Sequence, residues 1–309
     1  MSTSVKSKRK RASRAQKDAS TMTLAMVSFF DLLGFSDRVE NIETESDLRT
    51  IVGDVDSIRQ RFEYRPTKRS TYEVHRILDK SVLAFSDCVI TAVSLETEMV
   101  ATEGLFDVLG SEIWEIAIGQ SRCVLDGTFL RGGIDFGPWY YDKAKDLLVS
   151  PAMVRAYKAE RDRACYPVIA ISDQLYRLLR DHPGRKAYSN DIDPFRDQFS
   201  SFTHPKSGKR VRFINYLRLV APSLDWQYDK ATRDAYMALP RDSDKKSKIM
   251  MDGYGRNLVD FFERHKAVIT SAHSAAQGDV KKKYQFLAKY HNRELRRFLS
   301  KRDDLRIKL

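Results

Sequence analysis

The chain has 309 residues, of which 42% are hydrophobic and 31% are charged, which suits one large domain or one ordinary domain with an appendage. It has no apolar run of about 18 residues or more, and its basic N-terminus lacks the apolar stretch of a signal peptide, so we expect a cytoplasmic protein without a membrane span. The three cysteines, Cys88, Cys123 and Cys165, are widely spaced, which argues against a disulfide framework or a zinc site and predicts buried, reduced thiols.

The periodicity of apolar residues predicts alternating strands and helices in the first part of the chain. In chain order, the predicted elements are a strand over 24–35, a helix over 37–64, strands over 74–84 and 88–95, a helix over 98–120, a strand over 127–137, a helix over 151–163 and a strand over 168–171. This order predicts an α+β fold, with an antiparallel sheet covered by helices around a ferredoxin-like core. Paired glycines at 132 and 133 predict that a backbone or a ligand comes close to the sheet there.

The character of the sequence changes near residue 182. Residues 182–210 are polar and rich in Pro and Gly, residues 211–220 alternate weakly like a strand, and two later segments, 256–273 and 277–300, have the spacing of amphipathic helices. We therefore predict three units. These are a tail over 1–20, a main domain over 21–181, and a C-terminal extension over 182–309 with a polar linker, a possible strand and amphipathic helices.

Much of the net charge of +12 lies near the two ends of the chain. Residues 1–20 are rich in Lys and Arg with little apolar content, which predicts a disordered basic tail. A second basic cluster lies within residues 281–302. Basic chains attract polyanions, but these clusters lack the interleaved aromatic residues on which bases stack. We therefore disfavour nucleic acid as the partner and keep a non-catalytic nucleic-acid-binding protein as an alternative.

Two aspartates interrupt the apolar strands of the main domain. Asp31 lies near the end of the first predicted strand, and Asp87 lies at the turn between the next two. An ionised Asp in such a place is costly unless it is paired, and two on neighbouring strands suit a hard divalent cation. The turn over residues 34–36 offers backbone N–H groups that suit phosphate. Together these features predict nucleoside triphosphate chemistry, and a buried salt bridge to Lys80 or Arg131 is the structural alternative.

Several short segments resemble motifs of the class III nucleotidyl cyclases. Residues 30–36, Phe-Asp-Leu-Leu-Gly-Phe-Ser, resemble the first metal-binding strand of that family, and residues 85–87 resemble the hairpin with its second metal-binding Asp. Residues 130–137, Leu-Arg-Gly-Gly-Ile-Asp-Phe-Gly, resemble the family's arginine-containing strand. The Arg-Gly-Gly-Ile run, the helix over 151–160 and residues 164–169 are most similar to the bacterial pyrimidine cyclases of the Pycsar antiphage system. The resemblance covers residues 24–175 and implies that 21–181 is the catalytic domain of such an enzyme, with a class III cyclase core.

The resemblance implies a reaction and the residues that carry it. In this family the 3′-hydroxyl of a nucleotide attacks its own α-phosphate and pyrophosphate leaves, with two Mn²⁺ or Mg²⁺ ions in each site. The implied metal ligands are Asp31, Asp87 and the carbonyl of Leu32, and the implied catalytic residues are Asp31, Asp87 and Arg155. The implied nucleotide-binding residues are Phe30, Gly34, Phe35, Ser36 and Arg131.

One helix departs from the pattern of the purine cyclases. Those enzymes carry an Asn and, four residues later, an Arg, and the matching positions here are Arg155 and Ala159. We expect Arg155 or Lys158 to take over the charge role, and the departure argues against a purine substrate. The resemblance therefore implies a uridylate cyclase that converts UTP to 3′,5′-cyclic UMP and pyrophosphate. The alternatives are, in order, a cytidylate cyclase that makes cCMP, a purine nucleotide cyclase, and the nucleic-acid-binding protein mentioned above.

The resemblance also implies protein partners. Class III active sites form between two subunits, so we expect a homodimer with shared sites, in which one chain supplies the aspartates and the other supplies the helix with Arg155 and Lys158. No effector segment is recognisable in the sequence. We therefore expect the cyclic nucleotide to signal to a separate effector protein in antiphage defence.

Overall fold

The computed structural model describes residues 22–63, 79–188 and 193–309. The predicted basic tail, the loop after residue 64 and the first part of the strand predicted over 74–84 lie outside these ranges. The described strands are β1 (Thr23–Leu32), β2 (Lys80–Phe85), β3 (Cys88–Ser94), β4 (Leu130–Asp142), β5 (Leu147–Val149), β6 (Ile169–Ile171), β7 (Phe199–Thr203) and β8 (Arg210–Ile214).

The described helices cover the sheet and build the C-terminal part of the chain. They are α1 (Phe35–Glu40), α2 (Glu45–Phe62), α3 (Glu98–Glu103), α4 (Leu105–Leu125), α5 (Pro151–Arg163), α6 (Asp173–Asp181), α7 (Phe195–Gln198), α8 (Tyr216–Val220), α9 (Lys230–Met237), α10 (Lys245–Ala275) and α11 (Gly278–Phe298). Among the described residues, none of these helices is long and apolar enough to cross a membrane.

The strands form one mixed sheet in the order β2-β3-β1-β4-β6-β8-β7, with β5 paired to β4. Neighbouring strands among β1 to β4 are antiparallel, and their order in space is that of a ferredoxin-like β-α-β-β-α-β unit. Strand β6 joins β4 in parallel, and β8 and β7 continue the sheet. The predicted α+β fold with a helix-covered sheet and a helical C-terminal extension is therefore confirmed.

Two predicted helices are each divided in the structure. The helix predicted over 37–64 is broken before Thr44, whose side chain accepts a hydrogen bond from the Asp47 amide in a reciprocal capping box that starts α2. The helix predicted over 98–120 is broken at Gly104, where φ is +93°. Both breaks are local cap or glycine effects that override the apolar periodicity.

The two faces of the sheet are covered differently. Met26 and Phe30 of β1 point into a large core shared with α2, α4 and the C-terminal helices. Val27 and Phe29 point the other way, into a smaller cluster against α5. Because side chains alternate along a strand, Asp31 extends the second series and lies on the α5 face.

The sheet continues past the predicted boundary at residue 181. Strand β7 lies in the segment expected to be a polar linker, and the strand predicted over 211–220 ends at Ile214, where α8 follows after one residue. The rings of Phe213 on β8 and Phe286 on α11 lie 6.0 Å apart, so the last helix packs against the sheet. The division into a catalytic domain and an extension stays a prediction.

Candidate active site

Three neighbouring strands bring a row of polar side chains to one end of the sheet. Asp31 on β1 lies directly opposite Cys88 on β3 and Arg131 on β4. Asp87 lies beside this row in the turn between β2 and β3, and the Leu32 amide donates a hydrogen bond to its carbonyl at 3.2 Å. Ligand atoms of Asp31, Asp87 and Cys88 all lie within 4.8 Å of one another. The two aspartates therefore meet as predicted.

Arg131 lies between two carboxylates in this structure. Its Nη2 donates to Oδ2 of Asp31 at 3.0 Å, and its Nε contacts Oε1 of Glu160, which is almost fully buried. The ion pair with Asp31 is thus one of the two salt bridges considered from the sequence. The other does not form, because Lys80 pairs with Glu112 at 2.7 Å.

Glu160 reaches the site because α5 packs unusually close to β4. A Cβ on Gly133 would lie 2.7 Å from the backbone nitrogen of Glu160 and closer still to the carbonyl oxygen of Ala156. Only a glycine accommodates that approach. The predicted close approach at the paired glycines is therefore confirmed, and the approaching group is the backbone of α5.

The charges of the site perturb one another. Burial raises the pKa of Asp31, the Arg131 guanidinium opposes this rise, and the neighbouring carboxylate of Asp87 adds to it. Burial raises the pKa of Glu160 to about 7, again against the effect of Arg131. A divalent cation stabilises crowded carboxylates of this kind in their ionised form, because it removes their mutual repulsion. Asp31 and Asp87 therefore fit a site for Mg²⁺ or Mn²⁺.

Cys88 is the thiol of this cluster, and its Sγ lies 3.4 Å from Oδ1 of Asp87. Burial raises its pKa, and the carboxylate of Asp87 raises it further, so the thiol stays protonated. All three cysteines are free, as predicted, but Cys88 and Cys165 are only half-buried and Cys123 alone is fully buried. The expectation of three buried thiols was wrong for two of them.

The segment after Asp31 forms a tight turn into a short helix. Gly34 has φ +79° and is the N-cap of α1, so Phe35 and Ser36 are its first helical residues. The first N–H groups of a helix have no partner within the helix. These amides are therefore available as the predicted phosphate-binding groups, in a role that stays a prediction.

Two predicted site residues turn their side chains away from the row. Phe30 is 1% exposed and stacks on Phe62 at 4.4 Å, inside the large core. Leu32 is also buried there. Any contact of these two residues with metal or nucleotide must therefore use their main chain, as was expected for the Leu32 carbonyl but not for Phe30.

Arg155 does not join the row within one chain. Its Nε lies 2.5 Å from Oδ2 of the buried Asp135, and its Nη2 donates to the carbonyl of Phe136 at 2.7 Å. Asp135 is paired with Val27, four residues along β1 from Asp31, which is about 13 Å at the rise of a β-strand. Lys158, one turn further along α5, is exposed.

Sequence reasoning missed Glu160, Cys88 and Lys283 as members of this region. Glu160 was signalled by its place on the small-residue face of α5, with Ala152 and Ala156. Lys283 lies on α11, and its pKa is lowered by burial and by the nearby Arg131. In the sequence, this residue could have been noticed as a lysine that lies among the apolar positions of an amphipathic helix.

Comparisons with known proteins give structural neighbours only. No protein-family model matches the chain, and no curated protein matches it. Among solved structures, a bacterial light-regulated adenylyl cyclase is 15% identical and covers 64% of this chain and 53% of its own, with a TM-score of 0.37. The guanylyl cyclase domain of the RhoGC fusion protein from the aquatic fungus Blastocladiella emersonii is 12% identical, with coverages of 63% and 96% and a TM-score of 0.37.

A third neighbour is the guanylate cyclase domain of RhGC from Catenaria anguillulae in complex with GTP. It is 15% identical, covers 63% of this chain and 97% of its own, and has a TM-score of 0.37. The chain spans about half the length of the light-regulated cyclase that it matches. These structural neighbours are adenylyl and guanylyl cyclase domains, and the likeness is partial, so the functional assignment rests on the residues of the site.

Proposed function

We propose that this chain is a nucleotide cyclase that converts UTP to 3′,5′-cyclic UMP and pyrophosphate. The observation that carries the proposal is the convergence of Asp31, Asp87 and Arg131 at one end of a ferredoxin-like sheet. Two carboxylates that suit a divalent cation stand beside a guanidinium that suits phosphate. This combination serves chemistry on a nucleoside triphosphate, and the motif resemblance narrows that chemistry to cyclisation.

Mg²⁺ or Mn²⁺, two ions in each site, are the proposed cofactors. Asp31, Asp87 and the carbonyl of Leu32 would hold them. When bound, the ions supply Lewis-acid stabilisation of the charge on the reacting phosphate. The thiol of Cys88 is a soft ligand that these hard ions do not prefer, so we give it no role in holding them.

Arg131 and the turn after Asp31 would bind the triphosphate. A guanidinium presents a rigid fork of donors that matches phosphate oxygens, and Glu160 on the Nε side holds that fork in position. Nη2, which contacts Asp31 in this structure, is then the donor that turns to phosphate. The amides of Gly34, Phe35 and Ser36 would hold further phosphate oxygens.

The complete site would form in a homodimer. Arg155 is held by Asp135 and Phe136 on the α5 face, far along the sheet from Asp31 of its own chain. A cation from this helix would therefore act on the site of the partner chain. The sequence resemblance assigns the catalytic role to Arg155. The exposed Lys158 is the cation of α5 that has no ion pair among the described residues, so it is the alternative to Arg155 in this role.

The choice of base and the biological role rest on the sequence resemblance alone. It favours a pyrimidine triphosphate, UTP before CTP, and a soluble product that signals to a separate effector in antiphage defence. A cytidylate cyclase and a purine cyclase acting on ATP or GTP are the alternatives that keep the same chemistry. The non-catalytic nucleic-acid-binding protein is the alternative that abandons it.

The test offers all four nucleoside triphosphates to the full chain with Mn²⁺ or Mg²⁺ and identifies the products by mass spectrometry. We expect cUMP as the main product, and no product from Asp87→Asn. A majority of cCMP would show that CTP, not UTP, is the substrate. A majority of cAMP or cGMP would contradict the proposal of a pyrimidine substrate. No cyclic product, together with nucleic-acid binding that is the same in Asp87→Asn, would establish the non-catalytic alternative.

A further inference from the structure

Helix α11 of the C-terminal extension is seated against the end of the sheet that carries the candidate site. The ring of Tyr284 packs edge-on against Phe129, with centroids 4.9 Å apart. Phe129 comes two residues before Arg131, and its carbonyl accepts a hydrogen bond from the Leu33 amide at 3.0 Å. The helix therefore contacts the segment that leads into Arg131, and that segment is itself hydrogen-bonded to the segment after Asp31.

A second aromatic contact fixes which face of α11 is turned inward. Phe286 stacks on Tyr166, with ring centroids 4.0 Å apart and planes 4° from parallel. Leu287 is fully buried. Residues three and four positions apart share one face of a helix, so Lys283 lies on the same face as Phe286 and Leu287. Its stem therefore points toward the end of the sheet, near Cys165.

The charged group of Lys283 lies close enough to another cation, Arg131, for the two charges to interact. The side chain is half-buried, and the charges that act on it are those of Arg131, Asp31 and Asp279. Asp279 is engaged with Lys282 at 2.8 Å. Within residues 22–63, 79–188 and 193–309, no hydrogen bond or ion pair is formed by the Lys283 ammonium. Two cations placed together in a half-buried position favour an anion between them.

We propose that Lys283 binds the terminal phosphates of the triphosphate and, after cyclisation, the pyrophosphate that leaves. This inference rests on the proposed cyclase function and deepens it. Arg131 would approach the phosphates as a planar fork, and Lys283 would add a compact point charge from α11. The C-terminal extension then supplies part of the phosphate-binding site of its own chain.

The test measures binding of pyrophosphate with Mg²⁺ to the full chain by calorimetry, because this probe does not depend on the base. Lys283→Gln removes the charge and Lys283→Arg keeps it. Lys281→Gln is the matched control, since Lys281 is exposed and belongs to the same run of lysines. Thermal unfolding of each variant checks that α11 remains in place.

We expect Lys283→Gln to weaken pyrophosphate binding about tenfold or more, as befits one charge-assisted hydrogen bond, while Lys283→Arg keeps most of it and Lys281→Gln changes nothing. Equal weakening in both Gln variants, or none in Lys283→Gln, would overturn the inference. If the wild-type chain cyclises a nucleotide and Lys283→Gln binds pyrophosphate normally, only this inference fails. If the wild-type chain neither binds pyrophosphate nor forms a cyclic product, the proposed function fails with it.

Discussion

The backbone nitrogen of Glu160 lies so near Gly133 that a Cβ on the glycine would be 2.7 Å away from it. This close packing of α5 on β4 carries the buried carboxylate of Glu160 to the Nε of Arg131. A glycine in a strand thus decides the surroundings of an arginine two residues earlier. The contact links the backbone geometry of the sheet to the charge of the candidate site.

Gly133→Ala should destabilise the protein, because the added methyl group must push the α5 backbone away. Overpacking of this kind costs about 1–3 kcal/mol or more. Chemical denaturation with urea measures the loss. Gly53→Ala is the control, since Gly53 lies on the exposed face of α2 with no atom within 4 Å of an added Cβ. This substitution should raise the free energy of unfolding by about 0.5–1 kcal/mol. Equal stability of Gly133→Ala and wild type would contradict the packing described.

Asp31→Asn or Asp87→Asn should abolish formation of cyclic nucleotide while the fold is kept. Losing a metal ligand removes several kcal/mol of charge stabilisation, on the order of 100-fold or more in rate. Product formation is followed by mass spectrometry, and Mn²⁺ binding by electron paramagnetic resonance. Asp234→Asn, which changes an exposed carboxylate on α9, is the control. Wild-type turnover in either site variant would show that the acidic pair is structural.

A mixture of two inactive variants should recover part of the activity if the site is shared between chains. One partner carries Asp31→Asn, and the other carries Lys158→Gln, or Arg155→Gln in a parallel experiment. A heterodimer then contains one intact site. If activity recovers with just one of the two α5 variants, that variant identifies the cation that acts across the interface. A heterodimer verified by mass spectrometry that stays inactive in both mixtures would argue against shared sites.

The buried carboxyl of Glu160 should make the metal-free protein less stable above neutral pH. Its pKa rises from 4.5 to about 7 on folding, so the folded state holds the proton more tightly than the unfolded chain does. That contribution to stability is complete below pH 4.5 and is lost as the pH rises through 7. Between pH 5 and 8, the free energy of unfolding of Glu160→Gln should therefore rise relative to that of wild type by on the order of 1–3 kcal/mol. The account would be refuted if urea unfolding gave the same difference in free energy of unfolding between the two proteins at every pH.

A buried chain of hydrogen bonds ties the C-terminus to the helices behind the sheet. The Nε2 of His291 donates to the carbonyl of Leu305 at 3.0 Å, because a carbonyl only accepts. The Nδ1 of neutral His291 then accepts from Nδ1–H of His265 at 2.9 Å. The Nε2 of His265 in turn accepts from the hydroxyl of Tyr216 at 2.7 Å. Burial lowers the pKa of both imidazoles, which keeps them neutral, and the hydrogen bonds then hold each in a defined tautomer.

This histidine pair should make the protein acid-sensitive. Burial lowers the pKa of His291 to about 4 and that of His265 well below 6.5, so only the unfolded chain gains protons in mild acid. The contribution to stability is complete above pH 6.5 and is lost as the pH falls toward 4, by about 2–3 kcal/mol for His291 alone. Urea unfolding between pH 4 and 8 measures the loss, and ¹⁵N chemical shifts report the tautomers. Ring protonation near pH 6.5 in the folded protein would contradict this account.

The sequence predicted the elements of the core and the meeting of Asp31 with Asp87. Alternation of apolar residues and turn residues act over a few positions, so they are visible in any short segment. The predicted helix bounds were wrong where a cap or a single glycine outweighs periodicity, as at Thr44 and Gly104. Strand β7 was missed because its polar surroundings resemble a loop.

By itself, the sequence determined that this chain forms a helix-covered sheet with two aspartates at strand ends. Only the tertiary structure decided that Glu160 holds Arg131, that Asp135 holds Arg155, and that α11 brings Lys283 to the same end of the sheet. Periodicity fixes which face of a helix is apolar, but not which distant strand that face meets. That choice depends on packing between segments far apart in the chain, at distances set by contacts such as those of Gly133 and Tyr284.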